Sequence, residues 1–230
     1  IDAAQNSYNW YGLQEDNAFT ENTINAIDEA QNYRNLKLAG DFKFHDSYLE
    51  FGKVAVSYFT DNFKSAEVLV NFDTELAFPL DFLSSNLNDI AIHAGIESFE
   101  HNYATSNEIN YNLITVKLIP EYTLDYLGVS MKARLKTFIS LDTENDVTNF
   151  FLFPELLLQT NILKKYINAY AGFTGNLETN TYQKFTEDNP YVSPTLDITQ
   201  TAESSNLFIG FKGSITRNLN YNIKASFKNE

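Results

Sequence analysis

Apolar residues fall on every second position over long stretches of this chain. In residues 127–141, Leu, Val, Met, Ala and Ile alternate with polar side chains, and Lys132, Arg134 and Lys136 all fall on the polar side. A two-residue period puts alternate side chains on opposite faces of a β-strand, whereas a 3.6-residue helical period would spread these charges around a cylinder. The alternation therefore predicts two-faced β-strands.

The same alternation predicts about ten strands. They are 36–44, 48–60, 66–78, 89–103, 110–124, 127–141, 150–160, 166–177, 206–216 and 221–228. Most exceed the roughly 5 to 6 residues of a globular strand and match the roughly 9 to 11 with which a tilted strand crosses a bilayer. Pro120 and Pro154 cannot donate a ladder hydrogen bond, so we expect bulges at both.

The connections between these strands alternate in length. Four links are short: 45–47, 125–126, 163–165 and 217–220. Four links that alternate with them are longer and polar: 61–65, 102–110, 142–149 and 177–205. The link 81–88 is an exception, because it is long at a position where a short turn is expected. Bacterial outer-membrane barrels have short periplasmic turns and longer extracellular loops. The predicted fold is all-β, an antiparallel transmembrane β-barrel whose visible strands are part of a larger barrel.

This topology also predicts the domain organisation. Residues 1–32 are expected to be a long extracellular loop segment, with a short acidic helix at 23–31, and residues 33–230 a single barrel domain that is incomplete at both ends. We find no internal repeat and no low-complexity linker that would mark a second domain.

Composition excludes several classes of protein. No stretch approaches the roughly 18 consecutive apolar residues of a membrane-spanning helix. The formal charge of −14 would repel nucleic-acid phosphates, and the absence of Cys excludes disulfides and thiolate metal sites. The 19 Phe and 14 Tyr are typical of a β-rich chain.

Charged residues concentrate on the polar side of the predicted strands. They are Lys37, Asp41, Lys43, Glu67, Asp73, Glu75, Lys117, Glu121, Lys132, Arg134, Lys136, Glu155, Lys212 and Lys224. In a barrel these residues would line the lumen. Two interpretations stay open: a mutually paired network that fills the interior, or a pore whose basic band Lys132, Arg134 and Lys136 favours anionic solutes.

Candidate catalytic and metal-binding residues are sparse. His45 is interpreted as a turn residue, His93 as lumen-facing and His101 as part of a strand rim, and no His-Glu-x-x-His spacing occurs. No Gly-x-Ser-x-Gly occurs either. The candidate residues of a hydrolase are His93 or His101 with Glu97 or Glu100. We expect no enzymatic activity, no cofactor and no metal.

Aromatic residues near strand ends predict the two interfacial girdles of a membrane barrel. They are Tyr48, Tyr58, Phe59, Phe78, Tyr103, Tyr111, Tyr122, Tyr126, Tyr166 and Tyr221. Trp10 and Tyr11 are the candidate ligand-binding pair, because exposed aromatic platforms can stack on sugars.

The second half of the chain resembles a known family. The residues concerned are YINAYAGF at 166–173, NTY at 180–182, EDNPYVSPTL at 187–196, GFKG at 210–213 and YNI at 221–223, with a Trp-Tyr-Gly at 10–12 and the strand at 150–155. They resemble a Bacteroidota, mainly flavobacterial, outer-membrane β-barrel family often labelled TonB-dependent receptor, without a recognisable plug. The resemblance implies a Gram-negative outer membrane and a longer parent chain. It supplies no catalytic residues.

The leading functional hypothesis is therefore a porin-like outer-membrane protein that acts as a channel or transporter, or as a structural subunit of an envelope complex. Expected partners are outer-membrane lipid and lipopolysaccharide, and other outer-membrane proteins or surface lipoproteins. The alternatives are a surface β-sandwich that binds glycans through Trp10 and Tyr11, and an outer-membrane hydrolase.

Overall fold

A computed structural model of the chain describes residues 1–9, 30–45, 47–80, 90–103, 109–163, 166–216 and 218–229. Its strands form one 11-stranded antiparallel sheet in which neighbours in sequence are neighbours in space. The strands are β1 (Asp2–Asn9), β2 (Ala30–Lys43), β3 (Leu49–Asp61), β4 (Ser65–Phe78), β5 (Ile90–Tyr103), β6 (Ile109–Tyr126), β7 (Val129–Asp142), β8 (Val147–Leu163), β9 (Ile167–Glu178), β10 (Thr201–Thr216) and β11 (Leu219–Asn229). One short helix, α1 (Tyr182–Asp188), joins β9 to β10.

The all-β antiparallel class is confirmed, and β2 to β11 correspond one by one to the strands that alternation predicted. Pairing among the described residues ends at β1 on one side of the sheet and at β11 on the other. Closure into a barrel stays a prediction. Among the same residues, no helix is long and apolar enough to cross a membrane.

The prediction that residues 1–32 form only a loop was wrong for its two ends. Asp2–Asn9 is a strand, β1, which pairs with residues 30–37 of β2. Its sequence, DAAQNSYN, has no apolar alternation and so gave no signal. It is held by main-chain pairing with β2, which does not depend on side-chain type, and by side-chain bonds such as that from the Ser7 hydroxyl to Oδ1 of Asn32 at 2.6 Å. Most of the helix predicted at 23–31 lies outside the described residues.

The two prolines produce no bulge. Pro120 is opposite Ile92 in an unshifted β5–β6 register, and Pro154 is opposite Leu135 in an unshifted β7–β8 register. Both prolines lie where the pairing with the next strand is interrupted. The β6–β7 pairing skips residues 119–120, and the β8–β9 pairing begins only at Leu156. A proline is tolerated where its N–H has no ladder partner to lose.

Cross-strand register aligns the alternation of all strands into two faces. We call the side of Glu121, Arg134 and Glu155 the polar face, since these three are opposite one another across β6, β7 and β8. The other side, which carries Leu135 and Ile139, is the apolar face. A slip of one residue along a whole strand would exchange the two faces. The register shifts in the sheet are confined to the ends of strands, in the pairs β3–β4, β8–β9, β9–β10 and β10–β11.

Residues 179–200, which include α1, fold across the polar face, and we call them the cover segment. Tyr182 of α1 and Ile198 are buried, and with Tyr33 and Phe59 of the sheet they form a hydrophobic cluster. Thr181 caps the helix by accepting a hydrogen bond from the Lys184 N–H at 3.1 Å. The link predicted as a long extracellular loop is therefore packed against the sheet over much of its length.

Candidate functional site

A row of ion pairs runs across the polar face of β4 to β8. Glu121 is paired with Lys132 at 2.7 Å and with Nε of Arg134, and Nη1 of Arg134 reaches Glu155 at 3.0 Å. Glu155 is also paired with Lys136 at 2.7 Å. The two carboxylates are 10% and 5% exposed, so each needs these partners to offset its desolvation.

His93 extends this row towards β4. Its Nε2 lies 3.3 Å from Glu121 and its Nδ1 lies 3.7 Å from Glu75. We call the seven residues the ionic belt: Glu75, His93, Glu121, Lys132, Arg134, Glu155 and Lys136. The belt joins five adjacent strands through side chains that sequence alone put on one face.

A second ion pair reaches across an intervening strand at a position that has no side chain. Lys117 of β6 pairs with Asp73 of β4, and Gly95 of β5 is opposite both residues. A methyl group at Gly95 would lie 2.6 Å from Oδ1 of Asp73 and 2.8 Å from the main-chain oxygen of Phe72. Gly95 is therefore required for this close approach.

Glu67 of β4 anchors the cover segment. Its carboxylate accepts hydrogen bonds from the Tyr182 N–H at 2.6 Å and the Gln183 N–H at 2.8 Å, the first two residues of α1. Nδ1 of His101 lies 3.1 Å from the same carboxylate. Glu67 is 3% exposed, so these are desolvated, charge-assisted bonds, the stronger kind in proteins.

Further hydrogen bonds fasten the cover segment along its length. The Tyr33 hydroxyl donates to the Pro190 carbonyl at 2.7 Å, and the Tyr111 hydroxyl donates to the Leu196 carbonyl at 2.8 Å. Gln200 accepts from the Ser140 hydroxyl at 2.6 Å. These contacts reach from β2 to β7, so the segment spans much of the polar face.

Tyr182 fills the space between α1 and the sheet. Its ring makes edge contacts with Phe59 at 5.8 Å and with His101 at 5.8 Å between centroids. Burial raises the pKa of the Tyr182 hydroxyl, since no water reaches it to solvate a phenolate. The side chain is therefore neutral, and its burial stabilises the packing of the cover segment against the sheet.

All fourteen predicted lumen-lining residues lie on the polar face by register. Six of them belong to the ionic belt, Asp73 pairs with Lys117, and Glu67 anchors α1. Within the described part of the chain, Lys37, Asp41, Lys43, Lys212 and Lys224 form no ion pair. Trp10 and Tyr11 lie outside the described residues.

The structure does not bring together the residues proposed for a hydrolase. His101 contacts Glu67 and is fully buried, not part of an exposed rim, and His93 contacts Glu75 and Glu121. Glu100 is on the apolar face, bonded to Asn102. His45 lies exposed after β2. Among the described residues, no group of three or more His, Asp or Glu is placed to hold a metal ion.

Sequence reasoning missed the cover segment's contacts, although one signal was present. Phe59 and Tyr111, assigned to an outward girdle, lie on the polar face, and so does Tyr33. Three aromatic residues at polar-face positions near the same ends of their strands indicate that something apolar packs there. The packing partner is the cover segment.

Comparisons with known proteins found nothing similar: no family model, no curated protein and no solved structure matches this chain.

Proposed function

We propose that this chain forms wall strands of a Gram-negative outer-membrane β-barrel, that its polar face lines a passage for small solutes, and that the cover segment narrows this passage. The observation that carries the proposal is the contrast between the two faces of one continuous sheet. Lipid would cover the apolar face and water would fill the space over the polar face.

The apolar face is exposed over nearly the whole sheet. Large hydrophobic side chains that are 39 to 68% exposed occur on nine of the strands: Leu38, Val54, Phe72, Ile96, Leu118, Leu135, Leu152, Ile209 and Ile223. A soluble protein rarely exposes apolar patches larger than a few hundred Å². In a bilayer, contact with acyl chains removes this cost.

Aromatic residues support the same orientation. Tyr48 and Phe78 stack at 5.7 Å between centroids near the short-turn ends of β3 and β4, and Tyr126 is exposed at the equivalent end of β6. Tyr166 and Tyr221 lie near the same end of the sheet, beside the β8–β9 and β10–β11 turns. Such a row at one end is typical of an interfacial girdle.

The cover segment leaves space beneath it. A cavity of about 440 Å³ lies between α1 and the polar face of β1 to β4, lined by Lys37, Lys53, Asp73 and Gln183 among others. A passage narrowed to polar side chains would select solutes by size and charge. The described strands form one sheet, so the two packed sheets of the sandwich alternative are not found among them. The resemblance to flavobacterial barrels supports the outer-membrane location.

The experiment compares two adjacent positions of β3 in purified protein reconstituted into planar bilayers. Ser57→Cys puts a thiol on the polar face and Val56→Cys puts one on the apolar face, and the chain has no other Cys. A charged methanethiosulfonate added to the aqueous phase should lower the conductance of Ser57→Cys only.

Two outcomes would overturn the proposal. Protein in the soluble fraction of lysed cells, with no boiling-dependent shift on SDS gels, would contradict a membrane barrel. Conductance loss in Val56→Cys but not in Ser57→Cys would show that the two faces are assigned the wrong way round.

A further inference from the structure

A second cavity opens on the polar face of β7 to β11, away from the cover segment. It has a volume of about 420 Å³ and includes Lys132, Tyr170, Phe208, Lys212 and Lys224 in its lining. We propose that this cavity binds acidic monosaccharides, that is, hydroxylated rings carrying a carboxylate or phosphate. Its role as a selectivity site for transported solutes rests on the function proposed above.

Two glycines shape the floor of the cavity. Gly210 is opposite Tyr170 on one side and Lys224 on the other, and Gly172 is opposite Phe208. A methyl group at Gly172 would lie 2.6 Å from Cζ of Phe208. Since neither glycine has a side chain, the two rings lie over the neighbouring backbone, with 6.2 Å between their centroids. Rings in these positions give the cavity an apolar wall beside its polar groups.

The two rings carry lysines above them. Nζ of Lys224 lies 4.2 Å from the centroid of Phe208, and Nζ of Lys212 lies 5.7 Å from the centroid of Tyr170. Lys212 is opposite Asn222, so Lys224 is its diagonal neighbour on the same face, at about 7 to 8 Å by usual strand spacing. One carboxylate or phosphate can contact both ammonium groups.

Lys212 and Lys224 differ in their partners from the basic residues at the centre of the sheet. Lys132, Arg134 and Lys136 are each paired with Glu121 or Glu155. Over the described ranges, by contrast, Lys212 and Lys224 meet no carboxylate, and Lys212 donates only to Oε1 of Gln159 at 3.3 Å. An unpaired cluster of positive charge in a concave site attracts anions.

Polar groups in the same lining suit a hydroxylated ring. Ser130, Gln159 and Asn222 line the cavity, and the Tyr170 hydroxyl donates to Oδ1 of Asn222 at 2.5 Å. Hydroxyls, amides and an aromatic floor together match a sugar, while the lysines add the requirement for a negative charge. The amide oxygens of Gln159 and Asn222 already accept hydrogen bonds, so their NH₂ groups are the donors that a sugar hydroxyl could use.

Isothermal titration calorimetry of the full chain in detergent micelles tests the site by measuring its affinity for glucuronate, glucose and inorganic phosphate. We expect glucuronate to bind more tightly than either glucose, which lacks the charge, or phosphate, which lacks the ring. The double variant Lys212→Gln/Lys224→Gln should weaken glucuronate binding by about tenfold or more, because two ammonium groups near one anion are lost.

The matched control is Lys43→Gln/Lys64→Gln, which removes the same charge outside both cavities and should leave glucuronate affinity unchanged. Phe208→Leu should weaken glucuronate but not phosphate. Equal binding of glucose and glucuronate, equal losses in both double variants, or no binding at all would overturn the site. Glucuronate binding by a protein that shows no conductance in bilayers would overturn only the transport role. Conductance by a protein that does not bind glucuronate would overturn only the binding site.

Discussion

Glu67→Gln offers a direct test of how the cover segment is held. The carboxylate of Glu67 accepts two main-chain N–H groups of α1, and an amide of the same shape has a single acceptor oxygen. One N–H would then face an NH₂ donor, and the other would keep a neutral bond in place of a charged one. Charged bonds contribute about 1.5–3 kcal/mol and neutral ones about 0.5–1.5 kcal/mol.

The packing of the cover segment against the sheet should therefore lose about 3 kcal/mol of stabilisation, because one charged hydrogen bond is lost and the second is weakened. That loss should raise the fraction of molecules in which the cover segment has detached from the sheet by about 100-fold. Hydrogen–deuterium exchange measured by mass spectrometry should show it as faster exchange at 182–200, with β-strand peptides unchanged. Under the proposed function, single-channel conductance should also rise.

Glu97→Gln is the matched control, because Glu97 is on the same face of the neighbouring strand and has no ion pair or side-chain hydrogen bond among the described residues. It should leave the exchange of 182–200 as in the parent. Unchanged protection of this segment in Glu67→Gln would refute the anchoring argument. Uniformly faster exchange in all strands would show global destabilisation instead.

Four substitutions in the sheet test the assignment of faces, the ionic belt and the close approach at Gly95, all by urea unfolding of lipid-reconstituted protein. Met131→Arg on the apolar face should cost about 2–4 kcal/mol, and Lys132→Met on the polar face much less; the reverse order would contradict the assignment. Arg134→Met should cost about 3–5 kcal/mol, since two desolvated carboxylates lose a shared partner; a neutral effect would show that the belt does not stabilise the fold. Gly95→Ala should cost about 1–3 kcal/mol by displacing Lys117, and a stability equal to the parent would disprove the close approach.

Alternation along the chain predicted the ten strands β2 to β11 and the face of every charged residue named from it. Such prediction works because a strand's period is a property of consecutive residues and needs no knowledge of distant parts of the chain. β1 escaped prediction since its pairing relies on main-chain groups, which leave no mark on the residue pattern.

The partners of the charged residues could not be predicted in the same way. Sequence put Glu121, Arg134 and Glu155 on one face but did not decide which groups touch, because that depends on register between strands. Asp73 and Lys117 illustrate the point: they meet across an intervening strand only because Gly95 lies between them. A sequence pattern shows neither the register nor the space above a glycine.

By itself, then, the sequence determined an antiparallel all-β fold with one apolar and one charged face. Only the tertiary structure decided that residues 179–200 fold back over the charged face and that Glu67 holds Tyr182, 115 positions away in the chain. Local alternation is set by backbone geometry over a few residues, whereas a contact at this separation depends on the arrangement of all the strands between. The unpaired lysines on β10 and β11 are distinguished from the paired ones for the same reason.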